Sequence, residues 1–433
     1  MAANLVIKNV TVIDGSGAEP AAGVDVVVRD GLFAAIGPGA GAHPAAAGAE
    51  TLDGSGRFLI PGLWEAHTHL RGVLKPTPAE SQAALDATLR AYRERGVTTV
   101  VDLGGPVDVY CQARERQRAA PADGARLRFA GPNFTGLNGW PFVLHHDARC
   151  TNQAGDAATA LAALQRLLER QPDVVKIMYD GEPGRDKLPR EALVALVREA
   201  HTHGLRAVVH VHSAEDTLHA LEAGADGIEH SFLPTPGQEA AEAERVTAAL
   251  VQRGAYLTPT LAIWEQLGRA GDADYLEELF AAGYISAAER DRLAAPETGW
   301  GQAEFPHHPK AECRERLAAA FRFLPAMHAA GVKLVVGSDL AIAMSRPAAA
   351  LREMALLARA GVPARDVLVA ATRHAAEKLG VGATVGTIAP GQAADAVLLD
   401  ANPLADLDHL LRPGHLVATL KDGRLHPAPP RVS

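Results

Sequence analysis

The chain has 433 residues, of which 48% are hydrophobic and 21% charged, and a formal net charge of −9. That length and composition fit one barrel-sized domain with a smaller companion, or two to three ordinary domains. The acidic balance, with no Lys/Arg block, argues against a nucleic-acid partner, and the three scattered cysteines (Cys111, Cys150, Cys313) argue against a disulfide framework.

The opening MAANLVIKNVTVIDG has no basic stretch ahead of an apolar core, and no later apolar run is long enough to span a membrane. A cytoplasmic protein with no membrane partner is expected. Residues 1–58 read as short strands, Leu5–Ile7, Val10–Ile13 and Val24–Val28, separated by turns at Asp14-Gly15 and Asp30-Gly31. From Leu59 the pattern becomes short apolar runs alternating with helical stretches. Eight strands are expected: Leu59–Glu65, Thr98–Leu103, Leu127–Ala130, Val174–Met178, Ala207–Val211, Gly227–Glu229, Ala255–Thr258 and Leu334–Val336. Several follow a glycine that ends a helical pattern, such as Gly96, Gly204, Gly224, Gly254 and Gly331. Eight βα units point to an α/β fold, a (β/α)8 barrel. The doubly wound alternative lacks a GxGxxG after an early strand.

Two parts exceed a bare barrel. Residues 262–312 form a long insertion between strands seven and eight, placed to wall or cover an active-site face. After a helix over Ala364–Leu379 come strand signals in Gly386–Asp400 and a final hairpin at Val417–Gly423. The two chain ends, 1–58 and 384–433, are expected to meet in one small β-sandwich beside a barrel of residues 59–383.

Barrel chemistry sits at the C-terminal ends of strands. Strand one delivers His67 and His69, which alternation sends to one side. Strand four carries Lys176 inside an apolar run. Strand five ends in His210 and His212, strand six in His230, and strand eight in Asp339. Each has an ordinary explanation alone: a hydrogen-bonded histidine, a snorkelling lysine, a helix-capping aspartate. Together, in order and on one face, they make a metal site.

These residues, with Pro61-Gly62 before His67-Thr68-His69, the Ile228-Glu229-His230 segment, Gly337-Ser338-Asp339 and the closing Ile388–Asp395 run, resemble the amidohydrolase superfamily in its imidazolonepropionase-like and prolidase-like branch. The resemblance covers nearly the whole chain. It implies a barrel with a flanking β-sandwich and two divalent metal ions, usually zinc. By position, His67, His69 and Asp339 would hold one ion and His210 and His230 the other. Lys176 would bridge them as a CO2-derived carbamate. The branch's spacing favours His210, twenty residues before His230, with His212 as the fallback. The implied reaction is hydrolysis of an amide in a small molecule such as a dipeptide, an N-acyl amino acid or an aryl amide, with Asp339 as proton shuttle. A cyclic amide, a lactone or an organophosphate would suit the same hydroxide, and a homo-oligomer is expected.

On the substrate side, Asn133, Trp140, His145 and His146 fall in the loop after strand three, and Tyr179 follows Lys176. Relatives in the branch carry Gly-Gly-His in that loop. Here Asn138-Gly139-Trp140 stands in its place, so no substrate-binding histidine transfers directly.

Overall fold

The structure is a computed structural model that describes residues 4–119, 123–142, 146–181, 186–295, 309–339, 344–410 and 414–429. Eight parallel strands form the barrel: Leu63–Thr68, Val97–Asp102, Arg126–Phe129, Val174–Tyr179, Arg206–Val211, Gly227–Glu229, Tyr256–Thr258 and Lys333–Leu334. Strands one to three pair with one another and strands four to eight likewise, with Met178 opposite His210 and His210 opposite Glu229; strand three reaches strand four through Asp173 N–H to Phe129 O (2.9 Å) and the short strand Asn133–Thr135. The ring closes where Ala66 donates to Val336 O (3.1 Å) and Asp339 to His67 O (2.7 Å).

The chain ends build a separate eight-stranded sheet containing Leu5–Val12, Ala21–Arg29, Leu32–Gly37, Glu50–Asp53 and Phe58–Pro61 with Ala396–Leu399, Leu416–Lys421 and Arg424–Pro427. Gly31 and Phe33 exchange backbone hydrogen bonds with Gly391, Gln392 and Ala394, so the sheet folds over its own core of Ile7, Val26, Phe33 and Leu398.

The expected strand Leu59–Glu65 is in fact two. Phe58–Pro61 pairs with Ala396–Leu399 in the terminal sheet, and the barrel strand starts at Leu63. Gly62 is the crossing point. A Cβ there would stand 2.1 Å from the Oγ1 of buried Thr98. Gly62→Ala should therefore cost about 1–3 kcal/mol by overpacking, seen as a lower denaturant midpoint with an unchanged m-value.

The single helix expected over Ala364–Leu379 also divides, into Ala364–Ala370 and Arg373–Lys378. Thr372 leaves helical geometry, and the freed carbonyls of Ala370 and Ala371 accept from Val336 and Trp64. The second helix packs at the barrel's N-terminal mouth. Glu377 accepts from the hydroxyl of Tyr256, the first residue of strand seven, and Gly380 lies beside Arg206, the first of strand five. Among the described residues, no helix is long and apolar enough to cross a membrane.

Candidate metal centre

Alternation puts Lys176 on the face of strand four that looks into the barrel, with Val174 below it in the inner cluster. Its Nζ is buried and, among the described residues, has no hydrogen-bond partner. Burial lowers its pKa to about 8, against the pull of Glu229 and Asp339. An unpaired ammonium at such depth is costly, so the site is built for something else at that nitrogen.

Around it stand the four histidines and the aspartate. The ring centroids of His67 lie 5.5 Å from those of His69 and 5.0 Å from those of His230, and His210 and His230 are 4.4 Å apart. Asp339 Oδ1 is 3.2 Å from His69 Nε2 and 3.8 Å from His67 Nε2. One donor atom from each of His67, His69 and Asp339 falls within 4.8 Å of the others, a spacing that suits a single ion.

Three of the four rings are held toward the neutral form. Burial and the Lys176 charge depress His67 to about 3, burial lowers His210, and burial with the neighbouring cations holds His230 well below its ordinary value. Burial pushes the Asp339 carboxyl up, but its contact with His69 and the positive neighbours outweigh this and keep it below the usual carboxylate range. Neutral imidazoles and an ionised carboxylate are the states that bind metal. Among the described residues, the buried Nε2 of His67 has no hydrogen-bond partner, nor has Nδ1 of His69. Donor chemistry and orphaned atoms therefore both fit a metal centre.

His230 and Asp339 turn inward through the same backbone step: each leaves its strand in the left-handed region, at φ 74° and 67°. Non-glycine residues rarely adopt it, and such strain gathers at functional sites.

His210 joins the cluster and lies 3.2 Å from a carboxylate oxygen of buried Asp180. His212 instead meets the guanidinium of Arg316, from the helix Lys310–Ala329. Arg316 also stacks over Trp264 at 4.7 Å, and Trp264 lies 5.7 Å from the His230 ring. Two helices of the segment after strand seven thus wall the site; residues 296–308 of that segment lie outside the described residues.

The substrate-side residues are not brought together. Tyr179 is on the opposite face of strand four from Lys176, packed among the helices with Lys187 Nζ 4.2 Å from its ring. His146 is exposed beside Phe142, and half-buried Trp140 precedes a cis Pro141. His145 lies outside the described residues. Asn133 is different. It is fully buried, both ends of its amide are unpartnered, and it shares Gly104 with His69: a Cβ on Gly104 would stand 2.7 Å from Asn133 Nδ2 and 3.3 Å from His69 Nδ1.

Supporting residues carry no sequence signal of their own. Glu65 accepts from the backbone N–H of both His67 (3.1 Å) and Ser338 (2.9 Å), tying strand one to strand eight beneath the ligands. The Nδ1 of His230 is 2.7 Å from Thr260 Oγ1. Ligand histidines are commonly held this way through their second nitrogen.

Comparison with known proteins agrees with this geometry. The sequence model of the amidohydrolase family matches residues 58–426. The imidazolonepropionase of Ralstonia nicotianae is 26% identical over 441 aligned positions, covering 92% of this chain and 91% of that protein. Adenine deaminase 3 of Rhizobium meliloti is 27% identical over 188 residues, but the match spans only 37% of this chain and 31% of that enzyme. Among solved structures, a putative prolidase from Bifidobacterium longum superposes with a TM-score of 0.77 at 25% identity, covering 100% of this chain and 97% of its own. With the match running from the terminal-sheet strand Phe58–Pro61, through the whole barrel, into the last hairpin, the chain belongs to the amidohydrolase family.

Proposed function

We propose that the chain is a metal-dependent hydrolase that cleaves the amide C–N bond of a small molecule: a dipeptide, an N-acyl amino acid or an aryl amide. The observation that carries this reading is the buried Lys176 amine, without a hydrogen-bond partner among the described residues, facing four histidines and the Asp339 carboxylate. Family membership supports C–N hydrolysis, and the likeness to a protein titled a putative prolidase supports dipeptides as the first substrates to try.

His67, His69 and Asp339 would hold one divalent ion, for which zinc is the proposed metal, and His210 and His230 would hold a second. When bound, the pair supplies Lewis acidity to the scissile carbonyl and makes a deprotonated water available near neutral pH. Lys176, with its pKa near 8, has a share of neutral amine at that pH. That amine would form a C–N bond to CO2 as one C=O bond opens to a carboxylate oxygen and the nitrogen's proton passes to solvent, and the resulting anionic carbamate would supply oxygen donors to the metal site. Asp339 accepts the proton of the attacking water at its carboxylate and returns it to the leaving amine nitrogen. Trp264 and Arg316 close the side of the site beside His230.

Metal analysis with a panel of dipeptides, N-acyl amino acids, lactones and phosphotriesters tests the proposal. Close to two ions per chain and turnover of an amide are expected; a metal-free, inactive protein under zinc-replete expression would overturn it. The strand-five assignment has its own check. His210→Ala should lose an ion and most activity, whereas His212→Ala should keep both ions. The reverse result would move the ligand to His212.

A further inference from the structure

The helix Arg373–Lys378, at the barrel mouth opposite the histidines, sends one side chain up the barrel interior. Lys378 is fully buried. Its stem passes the start of strand six at Gly227, where an added Cβ would stand 3.3 Å from Lys378 Cδ and 3.0 Å from Val208 Cγ1. Its ammonium donates to Glu229 Oε1 at 2.7 Å and to Thr258 Oγ1 at 2.8 Å. The other oxygen of Glu229, Oε2, accepts from Nδ1–H of His67 at 2.7 Å. Lys378, Glu229 and His67 are all unexposed, so a continuous set of hydrogen bonds runs from the C-terminal helix to the first histidine of the site.

A glutamate side chain has several rotatable bonds, and one hydrogen bond to His67 does not orient it. Lys378 and Thr258 hold Oε1 from below, which aims Oε2 at Nδ1. With Nδ1–H engaged, the ring presents bare Nε2 toward Asp339. We propose that Lys378 is a positioning residue for the metal centre: it anchors Glu229 so that Glu229 orients His67 for ligation. A helix outside the eight βα units is then part of the centre. The inference rests on the reading of His67 as a metal ligand.

The test is a Co2+ titration of metal-stripped full-length protein, followed by visible absorption, beside thermal unfolding. Lys378→Met leaves the buried Glu229 charge unbalanced and should lower the melting temperature as well as Co2+ affinity. The double variant Lys378→Met/Glu229→Gln removes both charges and is read against Glu229→Gln alone, which changes the group behind His67 but keeps the lysine. If the lysine only balances charge, the double variant is the more stable of the two and binds Co2+ at least as tightly, and the proposal is overturned. If it positions, the double variant is the more stable but binds Co2+ severalfold more weakly than Glu229→Gln, because the side chain behind the ligand histidine has lost its anchor. Thr258→Val covers the case in which the double variant does not fold. It is nearly isosteric and neutral, and removes the other anchor of the same oxygen; affinity should fall severalfold, and unchanged affinity counts against the proposal. Wild-type protein that binds no Co2+ overturns the metal reading itself and this inference with it, an outcome distinct from wild-type binding that the variants leave intact.

Discussion

Lys176→Ala is expected to lose most of its metal and nearly all activity, and short-chain carboxylic acids should partly restore both by supplying the oxygens of the missing carbamate. A cavity complicates that variant, so Lys176→Met is the sharper experiment. Methionine fills similar space without charge, and removing a lone buried ammonium should raise the stability of the metal-free chain even as metal binding is lost. The pH dependence follows from the same shift. Burial lowers Lys176 from 10.5 to about 8 in the folded state, so between those values the unfolded chain binds more protons than the folded one. Stability of the metal-free, CO2-free wild type should therefore rise relative to Lys176→Met as pH climbs from about 8 to 10.5, at up to about 1.4 kcal/mol per pH unit. A Lys176→Met protein that keeps two ions and turns over substrate would remove the lysine from the centre.

What could be read from sequence was what local pattern encodes. Strand positions in the barrel showed as apolar runs after helix-ending glycines, and seven of the eight expected strands begin within one residue of the observed ones. The metal-competent residues were visible because they sit at strand ends, where order along the chain maps to order around the ring. The failures have equally local causes. Leu59–Glu65 read as one strand because hydrophobicity runs straight through Pro61-Gly62, although the chain there passes from one sheet to another. Tyr179 was placed at the site for its nearness to Lys176, yet three residues along a strand put two side chains on opposite faces. The residues behind the ligands were not legible at all. Glu65 meets Ser338, and Glu229 meets Lys378, across separations that no periodicity spans. Arg316 reaches His212 from a segment whose sequence gives no sign of its docking. The left-handed turns at His230 and Asp339 were not legible either: aspartate and histidine tolerate positive φ better than most residues, but no local pattern marks where they do so.

Asp339→Asn should keep much of its metal, because asparagine retains an oxygen where the carboxylate stood, while turnover falls by roughly 10²–10⁴, the usual range for removing general acid–base help. The geometry makes the two roles separable. Oδ1 faces His69 Nε2 at 3.2 Å, on the ligand side, and 15% of the side chain's surface stays exposed. The carboxyl lies below the usual range, since the histidine contacts outweigh the upward push of burial, so it is ionised and can accept a proton near neutral pH. The acidic limb of the pH–rate profile should then report Asp339 and the activated water as one coupled titration, and that limb should vanish or move in Asp339→Asn. The ordinary alternative is an aspartate that caps the turn after strand eight. Asparagine caps about as well, so that reading predicts a variant near wild type in stability and rate alike. A folded, metal-loaded Asp339→Asn with near-normal turnover would take the aspartate out of the proton path and leave the leaving amine to be protonated by another group. Asp180, a buried carboxylate 3.2 Å from His210, is a candidate for that role, and Asp180→Asn would be the next variant to make.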